Sequence, residues 1–188
     1  MIITQATMDD FDNIVSLHRT YHTDFIKEED RADGFVTTNF TPEQLEALIT
    51  KENGVVVAKD NTGKVMAYAT AASWQFWSQW PLFAHMIEHL PEYALNGEQL
   101  SIHNSYQYGP ACVDKSARGS GLFEQVFYAS LASMKDRYPF MVTFINKING
   151  RSYAAHTKKV HLTEAGTFQF NHNNYYLMAC STDLTPNK

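Results

Sequence analysis

The apolar run Ala111-Cys112-Val113 gives way within five residues to Arg118-Gly119-Ser120-Gly121, and an amphipathic stretch opening on Leu122-Phe123 follows. A small-residue loop that opens a helix leaves backbone N–H groups without intrahelical partners and places the positive end of the helix dipole behind them. That arrangement binds phosphate. Gly119 and Gly121 let a ligand approach the backbone, and Arg118 supplies a fixed charge. A Walker-type loop requires a Lys-Ser/Thr pair after its second glycine, which is absent here. A dinucleotide fingerprint requires a third glycine where Glu124 stands.

A second pattern, His85-Met-Ile-Glu88-His89, has the spacing of an inverted zinc-protease motif, with Glu164 far downstream as a third ligand. Pro81 and Pro91 confine it to a short helix and the chain is short for such a protease, so a zinc-dependent hydrolase is the remote alternative and no metal is expected. Cys112 and Cys180 lie in separate apolar stretches and read as buried reduced thiols rather than a disulfide framework.

The elements that must position these residues follow from periodicity. A strand over Met1 to Ala6 precedes a helix near 8–22 that carries Ile14, Leu17, His18 and Tyr21 on one face. After an acidic loop from Lys27 to Thr38, Thr41-Pro42-Glu43-Gln44 caps a helix to about Lys51. Two strands, Gly54 to Asp60 and Val65 to Ser73, flank a hairpin turn at Asn61 to Lys64. Residues 75–100 form an insertion, helical around Ser78 to His89; Trp74 just before it and Phe76, Trp77, Trp80 and Phe83 within it suit the wall of a hydrophobic or cation-binding pocket. His103 to Val113 reads as a strand kinked at Gly109-Pro110, and a helix is expected from Gly119 to Arg137. A strand at Phe140 to Asn146, a helix at 150–160 and strands at Thr167 to Phe170 and Tyr175 to Ser181 close the chain. The order describes one mixed α/β domain over residues 1–188, built around a single sheet flanked by helices.

Strand, then R-G-x-G at the head of a long helix, resembles the acetyl-CoA pyrophosphate loop of the GNAT superfamily of N-acetyltransferases. The family pattern Q/R-x-x-G-x-G/A reads here as Arg118-Gly-Ser-Gly121-Leu-Phe123, with Phe123 where the family prefers Gly or Ala. Asn149-Gly-Arg-Ser152-Tyr-Ala-Ala-His156, one strand after that helix, is similar to the family's later segment, with His156 where many members place Tyr and Val160-His161 where Gly-Phe is usual. The resemblance implies a GNAT-like, mostly antiparallel sheet. It also implies acetyl-CoA as cosubstrate, contacted by Cys112, Val113, Arg118, Gly119, Ser120, Gly121, Leu122 and Phe123 and, along the pantetheine arm, by Asn149, Ser152 and His156.

The implied reaction is direct acetyl transfer to a small-molecule or peptide amine in a ternary complex. A backbone N–H on the strand ending at Val113 would polarise the thioester carbonyl. Tyr153 and His156, three apart on a helix, are candidates to protonate the leaving thiolate. No carboxylate lies on residues 99–113, so the proton of the amine would pass to Glu98 or His103, directly or through water; Tyr106, Gln107 and Tyr108 stand on the same strand. A non-catalytic acyl-CoA-binding or sensor protein is the alternative on the same fold.

Charge sets the remaining bounds. Residues 1–100 carry 6 basic and 15 acidic side chains, net −9, and residues 101–188 carry 9 and 5, net +4. An anionic ligand is therefore expected on the second half, and a cationic acceptor near the first. No basic aromatic stripe tracks a nucleic acid. Residues 65–87 lack Asp, Glu, Lys and Arg, but Gln75, Ser78, Gln79 and Pro81 interrupt them, so no membrane span is read. The start, MIITQATMDD, has no signal-peptide pattern, and a cytoplasmic monomer or homodimer is expected.

Overall fold

The computed structural model describes residues 1–186. Seven strands run in the order β1-β2-β3-β6-β7-β9-β8, with a separate two-stranded ribbon β4-β5. The described residues divide into two compact units: Met1–Ala71 with Gly109–Ser133, and Ala72–Tyr108 with residues 134–186.

In the first unit, β1 (Ile2–Gln5), β2 (Val55–Lys59) and β3 (Val65–Ala72) pair antiparallel. Helix α1 (Phe11–Tyr21) buries Ile14, Leu17 and Tyr21, the stripe its spacing predicts. Its entry is fixed by Asp10, whose carboxylate accepts the Thr7 N–H and pairs with Lys59 Nζ at 2.9 Å. The acidic loop contains one short helix, α2 (Glu28–Arg31). Helix α3 (Pro42–Thr50) opens on the expected cap: Thr41 Oγ1 accepts from Gln44 N–H and Gln44 Oε1 accepts from Thr41 N–H, so two otherwise unpaired donors are satisfied. Asp60 Oδ1 organises the β2–β3 turn by accepting the N–H groups of Thr62 and Lys64. All eight residues of β3 are buried, which is why this strand has a continuous apolar run and no alternation.

In the second unit, β7 (Phe140–Asn146) pairs parallel with the start of β6 (Ser105–Val113) and antiparallel with β9 (Asn173–Ser181), which pairs antiparallel with β8 (Thr163–Phe170). The insertion holds α4 (Trp74–Trp77), α5 (Pro81–His89), and the ribbon β4 (Ala94–Leu95) and β5 (Glu98–Gln99). Of the five aromatics expected to line a pocket, Trp74, Trp77 and Phe83 are core residues, and Phe76 and Trp80 are half-buried. Trp74 Nε1 donates to Ser105 Oγ at 3.0 Å and Trp77 Nε1 to the Gln107 carbonyl at 3.2 Å. A buried indole must place its N–H, and both of these are used to fasten α4 onto the unit's own strand. Helix α7 (Gly150–Ala154) runs on into a π-helical turn, Ala155–Lys159.

Candidate functional site

The phosphate-type loop belongs to the first unit. Strand β6 ends at Val113, and Asp114 then caps a single 3-10 turn, Lys115–Ala117, by accepting the Ser116 N–H at 2.9 Å. Gly119 and Gly121 both have φ of +80°, the left-handed region, and α6 (Leu122–Met134) starts directly after them. The first bond of this helical run goes from Gln125 N–H to the Gly121 carbonyl at 3.2 Å. The N–H groups ahead of it are the ones a helix cannot satisfy internally. No atom lies within 4 Å of where a Gly119 side chain would begin, so the backbone there faces open space. Consecutive left-handed and helical residues turn their N–H groups to one side and make an anion-binding concavity. The Ser120 hydroxyl is turned back onto the Ala117 carbonyl at 2.6 Å.

Three residues distant in the sequence, Tyr21, Asp30 and Asp33, hold this loop. The Tyr21 hydroxyl accepts the Lys115 N–H at 2.6 Å, and Arg118 lies over the Tyr21 ring at 4.8 Å. Arg118 donates from Nε to the Val113 carbonyl and from Nη1 to the Asp33 carbonyl, each at 3.1 Å, with the Asp33 carboxylate at 3.9 Å. Lys115 pairs with Asp30. These partners are 85 to 94 positions apart in the chain, and no local pattern announces them. Cys112, on β6, is buried with its thiol pushed up to about 12 by desolvation, so it is not a thiolate nucleophile at neutral pH. Both cysteines are free and buried, as expected.

The second unit holds the later segment. Asn149 caps α7, its Oδ1 accepting the Ser152 N–H at 3.1 Å. His156 is buried and donates from Nδ1 to the Ser152 carbonyl at 2.8 Å, which leaves Nε2 as the ring's acceptor nitrogen; Ser152 Oγ is 3.3 Å from the same Nδ1. Burial lowers its pKa to about 4, so the ring is neutral at pH 7 and has no spare proton to give a thiolate. Tyr153 faces elsewhere, its ring tilted against that of Tyr176 at 4.4 Å between centroids and its hydroxyl donating to Glu164. The two side chains thus have separate partners, and a π-helical turn begins between them at Ala155. Glu98 and His103 are both exposed, on the ribbon and in the turn before β6.

Glu164, the third ligand of the zinc reading, accepts from Tyr153; His89 bonds Glu92 at 2.8 Å; and His85 packs against the rings of Phe168 and Phe170. Among the described residues no group of three or more His, Cys, Asp or Glu is placed to hold a metal ion. No helix among them is long and apolar enough to cross a membrane.

No protein-family model matches the chain, and no curated protein does. Solved structures match it over nearly all their length. An N-acetyltransferase from Staphylococcus aureus Mu50 superposes with a TM-score of 0.60 at 18% identity, covering 97% of this chain and 98% of its own. The Salmonella typhimurium protein yncA, solved with its cofactor acetyl-CoA, gives 0.63 at 14%, covering 100% and 97%. A GNAT-family acetyltransferase from Listeria monocytogenes gives 0.62 at 14%, covering 96% and 94%. The chain has the fold of the GNAT acetyltransferases, a mixed α/β architecture with a mostly antiparallel seven-strand order.

Proposed function

We propose that this protein is an acetyl-CoA-dependent N-acetyltransferase that passes the acetyl group directly to an amine. The observation that carries the reading is the Gly119–Gly121 loop, with both glycines left-handed at the head of α6, on a fold shared with acetyltransferases. Acetyl-CoA brings the activated thioester and a pyrophosphate for the loop's N–H groups. The chain's own contribution is position and electrostatics. An alkylamine with a pKa of about 10 is only ~0.1% neutral at pH 7, so the acceptor must lose a proton before it attacks. With Nδ1–H committed to the Ser152 carbonyl, His156 has no proton to give the leaving thiolate. The Tyr153 hydroxyl is committed to Glu164, so the thiolate proton comes from water.

Calorimetry with acetyl-CoA tests the loop. Saturable binding is expected, and Gly121→Glu, which puts a carboxylate and an L-residue where φ is +80°, is expected to weaken it more than tenfold. Intact binding by that variant would refute the loop assignment. Thiol release from acetyl-CoA over an amine panel then separates a transferase, which turns over, from an acyl-CoA sensor, which binds without release.

A further inference from the structure

The first unit also contains a cavity of about 420 Å³, in the range of small-molecule sites. Ile14, Leu45, Tyr68 and Thr70 line it and are buried, while Val15 and Phe25, which also line it, are exposed, so it has an apolar floor and an open rim. No Asp or Glu borders it. Its one formally charged residue, Arg19, is exposed and lies 4.7 Å over the Phe25 ring. A cation seated on the floor would lose its hydration and meet no carboxylate.

Hydrogen bonding fixes the polarity of that floor. His18 lies 2.8 Å by Nε2 from the Thr38 carbonyl, which can only accept, so the ring hydrogen is on Nε2. Nδ1 is therefore bare and takes the hydrogen of the Tyr68 hydroxyl at 2.6 Å. Tyr68 Oη, its hydrogen spent, has only lone pairs left for a ligand. On the neighbouring turn His22 Nδ1 accepts the Asp24 N–H at 3.2 Å, which leaves the hydrogen on Nε2. That nitrogen is buried, with no hydrogen-bond partner. The cavity thus presents an acceptor at Tyr68.

We propose that this cavity binds a small molecule with an uncharged aromatic or branched aliphatic body, whose polar group gives an N–H or O–H to Tyr68 Oη. The Thr70 hydroxyl, on the cavity wall, donates to the Pro110 carbonyl at 3.0 Å on β6, the strand that runs into the Gly119–Gly121 loop. On the acetyl-transfer reading, on which this second step alone rests, the ligand is the acceptor and its amine is bound neutral. This replaces the cationic acceptor suggested by the acidic first half.

The probes are 4-ethylaniline, largely neutral at pH 7.5, 2-phenylethylamine, a cation of similar shape, and spermidine, all titrated without acetyl-CoA. Saturable calorimetric binding of 4-ethylaniline is expected, with 2-phenylethylamine at least about tenfold weaker and spermidine silent. Val15→Trp, which fills the rim, and Tyr68→Phe, which keeps the ring and removes the oxygen, should each weaken 4-ethylaniline about tenfold, with thermal melts confirming that both variants fold. No saturable binding, unchanged binding in Val15→Trp, or tighter binding of the cation would overturn the proposal. Thiol release with 4-ethylaniline reads the second step: binding without release keeps the cavity and removes the acceptor role, whereas failure of acetyl-CoA itself to bind counts against the loop and leaves the cavity result standing.

Discussion

Arg118 holds the loop from within, because Nε and Nη1 are both turned onto backbone carbonyls of the first unit. Its side chain is 16% exposed, so these bonds are partly shielded from water. Arg118→Met is predicted to cost about 2 kcal/mol in urea unfolding, since charged donors to carbonyls are worth more than neutral ones. A loss of acetyl-CoA affinity with unchanged stability would instead put the guanidinium on the ligand. Histidine burial sets a pH dependence. His18 and His156 are both lowered to about 4 from 6.5, chiefly by desolvation. Between those pH values the unfolded chain binds protons that the folded chain refuses. Stability is therefore full above about pH 6.5 and falls as the pH drops towards 4, by roughly 3 kcal/mol for His156. Calorimetric melts from pH 7 to pH 4 should show a falling Tm, less steep in His156→Gln; a flat profile would contradict the neutral buried rings. The sequence marked His156 as chemically interesting, but its protonation state depends on burial, which only packing supplies.

At the scale of elements, glycine separates two physical causes. A side chain at Gly54 would start 1.7 Å from the Ala71 carbonyl oxygen, on a backbone that also accepts and donates in the α3–β3 region. Gly54→Ala is predicted to cost more than about 3 kcal/mol, because β3 would have to move. Gly119 has open space around it but a φ of +80°, so Gly119→Ala should cost about 1 kcal/mol, from backbone strain alone. Urea unfolding of the pair checks both, and equal costs would refute the distinction. Element types were legible where periodicity was strong: α1, α3, the β2–β3 hairpin, β6 and β7 stand close to where the apolar spacing put them. Two departures have local causes. The β4–β5 ribbon went unread although Asn96-Gly97, with φ of 53° and 83°, is a strong hairpin dipeptide. Strand β8 begins at Thr163 rather than Thr167, because its solvent-facing residues give little apolar signal until Phe168 and a bulge lies between Glu164 and Gly166.

Across the whole molecule, the division of charge has a structural counterpart in the first unit, where basic residues of the positive half meet acidic residues of the negative half: Lys115 with Asp30, and Arg118 with Asp33. The loop is thus partly neutralised before any phosphate arrives, and on the acetyl-transfer reading its backbone N–H groups carry more of the anion binding than net charge does. Asp30→Asn, which releases Lys115, is predicted to tighten acetyl-CoA severalfold at low salt, with the gain shrinking in 0.5 M NaCl as screening sets in. No change at low salt would show that Lys115 plays no part. The sequence by itself determined the order of the main helices and long strands, the glycine loop at the head of α6 and the resemblance to the GNAT fold, because period, turn residues and loop spacing are local properties of the chain. Only the tertiary structure decided that Tyr21 and Asp33 fasten that loop, that Trp74 and Trp77 are core, and that Tyr68, His18 and His22 meet around one cavity. Those outcomes depend on contacts between residues tens of positions apart, and on the desolvation and hydrogen bonding that such contacts impose, which no local pattern encodes.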